Sequence, residues 1–356
     1  MSTLRPTDFT GRPEWRYPGE QAAVAARRIL ISGAGGSIGG ALSERLSRLD
    51  PERLVLLDRC EHNLFELQRR LGHSPATELV LGDAGDVGLM DDLLRAERPD
   101  VIIHAAAHKH APLLESQPLE ALRNNFLVTS SLLDCAARHG VGRFVLLGTD
   151  KAVEPAGVMG LSKRLAELAL LVAPAPPAGV AVRLGNVWGS RGSVLPLFEA
   201  QLVAGEQLTV THRDASRFFL AEAEAVSVIL AAADAAFPPG ILVPRMGEPV
   251  RIQAIARRLL ERCGIEDPDL RIVFTGLRPG DKLSERLVGA DEVVTPAAAA
   301  GLFHVEPPAM DRDATAALLG DIAAAVRRRD LGAVVDLARR LQPPGSQVRE
   351  QPGIPE

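Results

Sequence analysis

The stretch ILISGAGGSIG, residues 29–39, restricts the fold more than any other segment. An apolar run ends in Gly33, Gly36 and Gly39 and passes directly into a helical pattern. Strand, glycine turn and helix in that order open a βαβ unit, because residues without Cβ let the turn tighten and the helix approach the strand. The helix then presents free N–H groups and the positive end of its dipole, a seat for a pyrophosphate. Gly33, Gly36, Ser37, Ile38 and Gly39 are the candidate residues of that seat. The next strand ends in Asp58, whose carboxylate can accept both hydroxyls of a ribose and repel a 2′-phosphate. This favours NAD over NADP, although the adjacent Arg59 works against the preference. Asp83, followed by Ala84, ends the third strand in LGD and is placed to meet an adenine edge.

Short β-branched and leucine-rich runs at 28–33, 53–58, 78–82, 100–105, 143–148 and 180–185 read as strands. Amphipathic segments at 39–49, 87–97, 118–139 and 161–171 separate them. The expectation is an α/β fold, a Rossmann-type doubly wound parallel sheet with a smaller C-terminal substrate-binding cap. The expected division is an N-terminal extension over 1–26 and a dinucleotide-binding domain over 27–185, with 213–237 packing back on it. A substrate region would take 186–212 and 238–310, two C-terminal helices would lie within 311–344, and 345–356 would be a tail.

Composition narrows the function classes. A net charge of −5 and an isoelectric point near 6.0 supply no basic face for a nucleic acid. Cys60, Cys135 and Cys263 are far apart and form no Cys-x-x-Cys, which argues against a disulfide framework or a zinc site and fits a reducing cytoplasm. Acidic residues or prolines break every long apolar stretch, so no membrane span and a soluble protein are expected.

The fourth strand runs into HAAAHKHAPLLE, residues 104–115. Ala105 and Ala106 are small enough for the backbone to pass close to a cofactor. Lys109 and His110 are placed to face a substrate, and the three histidines lack a carboxylate partner, so no metal is expected. Further on, Met159 stands four residues before Lys163, where one large group of NAD-dependent enzymes carries Tyr-x-x-x-Lys.

Taken together, GAGGSIG, LLDRCEHNLFEL, HAAAHKHAPLLE, the pair Asn124 and Asn125, TDKAVEPAGVMGLSKR, VRLGNVWGSRGSVLPLF, TVTH with SRFFL, and TGLRPGDKLSERL resemble the nucleotide-sugar 4,6-dehydratases of bacterial polysaccharide biosynthesis. These are members of the extended short-chain dehydrogenase/reductase superfamily. The resemblance runs collinearly over about 5–344, and RPTDFTGRP resembles the segment that leads to a membrane region in the family's long members. One branch of the family carries methionine in place of the tyrosine, so Met159 does not imply lost chemistry.

The resemblance implies that Thr149, Asp150, Lys151, Met159 and Lys163 are catalytic. NAD would oxidise C4 of a UDP-N-acetylglucosamine-like sugar, water would leave across C5 and C6, and C6 would be reduced. Lys151 would be the C5 base, its ammonium buried and its pKa lowered beside Lys163 and the nicotinamide. Asp150 would be the acid for the C6 hydroxyl, Thr149 would hydrogen-bond the C4 oxygen, and Lys163 would hold the nicotinamide ribose. A thioether cannot take the C4 proton; Asp150, Lys163 through water, a Thr149 relay and His108 all remain open for that step.

Asn125, Asn186, Val187, Ser193, Val194, Thr211, Arg217 and Arg278 would surround the sugar nucleotide, the arginines by forked contacts to phosphate. Gly148 replaces a usual serine, Asp281 a glutamate and Ser284 a tyrosine. The resemblance also implies a homodimer or larger homo-oligomer through 118–139 and 161–171. A nucleotide-sugar 4-epimerase and a catalytically silent NAD(H)-binding regulator are the competing readings.

Overall fold

The computed structural model describes residues 4–340. Its main sheet begins with strands β1 (Arg28–Ser32), β2 (Arg53–Asp58), β3 (Thr77–Leu81), β4 (Val101–His104), β5 (Arg143–Thr149) and β6 (Ala178–Leu184). They lie in the order 3-2-1-4-5-6, all parallel, the doubly wound arrangement expected. Central strands are covered on both faces, which is why β2 and β4 read as unbroken apolar runs instead of alternating ones. The strand order reverses between β1 and β4, and there the two crossovers leave in opposite directions and open a crevice.

Several expected boundaries move. Three strands from the stretch assigned to the substrate region join the main sheet. Gly240–Pro244 pairs parallel to β6, Leu302–Glu306 pairs antiparallel to it, and Val293–Pro296 forms the edge. Val293–Pro296 and Leu302–Glu306 are short antiparallel strands separated by turn-rich sequence and give no βαβ rhythm, so the pattern that located β1 to β6 passes over them. The helix expected at 161–171 starts earlier, as Val158–Val172, and the one expected at 118–139 is broken into Pro118–Leu122, a π-turn Arg123–Leu127, and Val128–Arg138. Arg312–Arg327 and Leu331–Arg339 are the two C-terminal helices, and the expected tail lies outside the described residues. Among the described residues no helix is long and apolar enough to cross a membrane.

A second lobe has its own core, built from Leu195, Phe198, Leu208, Phe219, Ile255 and Leu260, and Leu4 is buried in it. The N-terminal extension is strapped across both lobes. The carbonyl of Leu4 accepts from Trp188 Nε1 (2.9 Å), Arg12 pairs with Glu224 and donates to the Met246 carbonyl (3.0 Å), and Tyr17 Oη donates to Asp234 (2.7 Å).

A buried ionic knot holds the helix Val158–Val172 to β6. Arg183, with no exposed side-chain surface, donates to both Glu167 oxygens (2.8 and 2.7 Å) and both Glu292 oxygens (2.6 and 2.7 Å). Burial pushes the Glu167 carboxyl up, but the charges and hydrogen bonds of Arg183 and Arg164 outweigh it and hold the group at about 2. Removing one member leaves an uncompensated buried charge. Arg183→Met should therefore lower the unfolding free energy by about 3–5 kcal/mol in urea titration; a loss below about 1 kcal/mol would show that the knot is not structural.

Candidate functional site

The crevice is built first from absent side chains. Gly33 sits at φ +74°, and a Cβ there would lie 2.6 Å from the Ala106 backbone nitrogen, so the β1 turn and the β4 loop touch main chain to main chain. A Cβ on Gly39 would collide with the Gly33 carbonyl. Gly36 is extended and precedes the helix Ser37–Leu46, whose N-terminus has no side-chain cap. Asp58 is buried and braces this turn, its Oδ2 accepting from Gly35 N and its Oδ1 from Cys60 N, each at 2.8 Å. Asp83 accepts from Gly85 N (2.8 Å), with Ala84 buried beside it, and Ile38 and Ala105 pack against the core. Arg59 reaches His108 Nε2 (2.9 Å) and lies 3.7 Å from Asp83.

The candidate catalytic residues collect one strand further on. At the end of β5, Thr149 Oγ1 donates to Asp150 Oδ1 (3.0 Å). Lys151 Nζ donates to the same Oδ1 (2.9 Å) and to Asn186 Oδ1 (2.8 Å). Asp150 is fully buried, and its Oδ2 has no hydrogen-bond partner. Met159 and Lys163 are four residues apart on one face of the helix Val158–Val172. Met159 packs on Leu114 and Ala121 and, with Lys151, Arg217, Lys282, Glu285 and Glu115, lines a cavity between the lobes.

The expected burial falls on Lys163 rather than on Lys151. Lys151 keeps 24% of its side-chain surface and is ion-paired, whereas Lys163 is buried, which lowers its pKa to about 8 against the opposing charge of Glu167. His104, also buried, contacts Ser32 Oγ (2.6 Å) and Thr129 Oγ1 (3.1 Å). Desolvation, with the Lys163 charge adding, drives it down to about 3, so the ring is neutral and the positive charge in this layer is that of Lys163.

Other expected residues do different work. Asn125 is 1% exposed and spends its amide on the protein, bonding the His108 N–H and carbonyl (2.8 and 2.9 Å) and Ser162 Oγ (2.9 Å). It fixes the β4 loop to the helix of Met159 and Lys163 instead of facing a sugar. The π-turn that carries it has no periodic signature in sequence, though such turns gather at functional sites. His108 is held between Arg59 and Glu120 (3.4 Å), and burial followed by the Arg59 charge lowers its pKa. Arg278 is exposed and pairs with Asp281 (3.1 Å); Asp281 and Arg217 line the cavity, whereas Arg278 does not. Val187 pairs with Leu220, Thr211 is half-buried, and Ser193 precedes the helix Val194–Val203 with a buried hydroxyl that lacks a partner.

Glu115, Lys282 and Glu285 were not singled out from sequence. Glu115 accepts from Val158 N (2.6 Å), and its carboxylate fits against Gly157 and Gly280, neither of which has room for a Cβ. Its partners are remote in the chain, so only its place in the HAAAHKHAPLLE motif hinted at a role. Gly148 is equally constrained: a Cβ there would lie 2.9 Å from the Val182 carbonyl oxygen, which leaves no space for a serine.

Residues 29–307 match the family model described as polysaccharide biosynthesis protein. EpsC of Bacillus subtilis, a probable polysaccharide biosynthesis protein, is 40% identical over 276 residues, covering 76% of this chain and 46% of its own. The chain thus spans about half the length of this curated relative. A UDP-glucose 4-epimerase of Rickettsia typhi is 31% identical over 288 residues, 78% of this chain and 82% of its own. Among solved structures, Pen from Bacillus thuringiensis superposes with a TM-score of 0.71 at 25% identity over 81% of this chain and 88% of its own. A dTDP-glucose 4,6-dehydratase double mutant, DesIV of Streptomyces venezuelae, solved with NAD bound, shares the fold at TM-score 0.64 and 22% identity over 74% and 88%. Because the family model covers most of the chain and these identities extend over three quarters of it, the chain belongs to the polysaccharide biosynthesis protein family.

Proposed function

We propose that the chain is an NAD-dependent nucleotide-sugar 4,6-dehydratase that converts UDP-N-acetylglucosamine or a close relative to its 4-keto-6-deoxy form. The observation that carries this reading is Asp150 Oδ2, a buried carboxylate oxygen without a partner beside the Lys151 ammonium. An orphan acceptor of this kind is costly unless it holds a proton or meets a ligand hydroxyl, and an acid that delivers a proton to a leaving C6 hydroxyl does both in turn.

The crevice fits a dinucleotide. Gly33, Gly36 and Gly39 leave a cradle that a Cβ would fill, Ser37 opens the helix at the seat of the diphosphate, and the Asp58 carboxylate lies at the end of β2 where a ribose would reach it. When bound, NAD supplies the oxidation at C4 and its reversal at C6. Lys163 would hold the ribose next to the reacting carbon.

The remaining steps use the chain's own groups. Lys151, oriented by Asn186 and acting as the neutral amine after its ammonium proton has passed to solvent, takes the C5 proton once the C4 carbonyl has acidified it, and returns a proton to C5 as C6 is reduced. Thr149 already donates to Asp150, so a C4 hydroxyl that donates to Thr149 Oγ1 passes its proton along an existing bond, and the proton stored on Asp150 is the one later given to the C6 oxygen. This relay answers how a site with Met159 in place of a tyrosine can begin the reaction. A 4-epimerase needs neither the Asp150 acid nor the Lys151 base.

Two outcomes follow. Asp150→Asn and Lys151→Met should each lower turnover by about 10²–10⁴-fold while NAD affinity stays within about twofold; wild-type turnover in either variant would remove these roles. The second concerns pH. Burial holds the folded pKa of Lys163 at about 8, below the ordinary lysine value of 10.5, so between these limits the unfolded chain binds more protons and this group's penalty fades as pH rises. Lys163→Met should thus be favoured over wild type in melting temperature at pH 7.5 and lose that advantage by pH 10; a difference that grows with pH would contradict the buried, lowered lysine.

A further inference from the structure

The turn from Val187 to Ser193 leaves the substrate lobe and returns to the glycine cradle. Gly189 and Gly192, both at φ +71°, make it tight, and a Cβ on Gly192 would collide with the His110 ring, so the turn rests on the residue next to Lys109. From it, the Arg191 backbone N–H donates to Ser37 Oγ (3.2 Å), and Arg191 Nη1 donates to Asn63 Oδ1 (2.8 Å). Asn63 backs the cradle itself, since a Cβ on Gly35 would lie 2.6 Å from Asn63 Cβ. Arg191 therefore reaches across from the other lobe to the first residue of the phosphate-facing helix and to the side chain behind the glycine turn.

No ion pair to Arg191 or Lys109 is found among the described residues. Lys109 is surface-exposed along its length, yet partial burial of its ammonium and the Arg191 charge lower its pKa. Gly192, beside Arg191, packs on the ring of His110, beside Lys109, so two cations remote in sequence come near one another without acidic partners. Such an arrangement carries electrostatic repulsion that a doubly charged anion between them would relieve, and the guanidinium fork has donors left for phosphate oxygens.

We propose that Arg191, with Lys109 opposite, clasps the diphosphate of the dinucleotide and retains the cofactor between turnovers. This rests on the NAD reading above. It suits a reaction without net redox change, in which the cofactor is restored each cycle and gains nothing by leaving.

The test uses the full chain and reads binding, not turnover. Arg191→Ala should raise the Kd for NAD+ and for ADP at least tenfold and speed NAD+ release, leave adenosine unaffected, and keep the wild-type melting temperature. Arg191→Lys should recover part of the loss. Affinity for NAD+ within twofold of wild type would overturn the clasp, and so would weakened UDP binding with NAD+ unchanged, which would assign Arg191 to the substrate diphosphate. Asp58→Ala separates the two levels: if it too binds NAD+ like wild type, the underlying cofactor site is wrong, whereas its loss beside an unaffected Arg191→Ala sinks the clasp alone.

Discussion

Lys151 Nζ is forked between Asp150 at the end of β5 and Asn186 just beyond β6, and the candidate site depends on that fork. It fixes the ammonium at the cavity wall and makes one Asp150 oxygen a shared acceptor for Thr149 and Lys151. The second oxygen stays free inside the protein. A carboxylate and an ammonium are thereby held on adjacent residues of one short 3₁₀ turn, with little room for either to drift.

The helix Val158–Val172 supplies the other half. Its N-terminus is tied to Glu115, its first turn is met by Asn125 through Ser162, and its middle is locked to β6 by Glu167 and Arg183. Met159 and Lys163 therefore sit on a helix anchored at three points. Burial on this helix makes Lys163 a group that titrates near neutrality, and the neutral His104 beneath it adds no competing charge.

How far the sequence could be read depends on whether a feature is local. ILISGAGGSIG and the strands β1 to β6 were legible because apolar runs, glycines and helix patterns repeat within a few residues. Thr149, Asp150, Lys151, Met159 and Lys163 came from motif resemblance, and all of them lie around β5 and the helix that follows it. Contacts across great sequence distance were not legible: Arg183 with Glu292, Glu115 with Val158, and Arg191 with Ser37 and Asn63 each depend on how the chain returns to itself. Asn125 is a different case. Its motif pointed to substrate, but the π-turn rotates its amide into a network inside the protein. The edge strand Val293–Pro296 and its neighbour Leu302–Glu306 were missed because short antiparallel strands have no crossover helix to mark them.

The most direct measurement is to incubate the purified chain with UDP-N-acetylglucosamine in heavy water and follow the sugar by mass spectrometry and proton NMR. The account predicts loss of one water, a C4 ketone, a C6 methyl group and solvent deuterium at C5. A C4 epimer of unchanged composition with no deuterium at C5 would contradict it, and would leave the Asp150 and Lys151 pair without the work assigned to it.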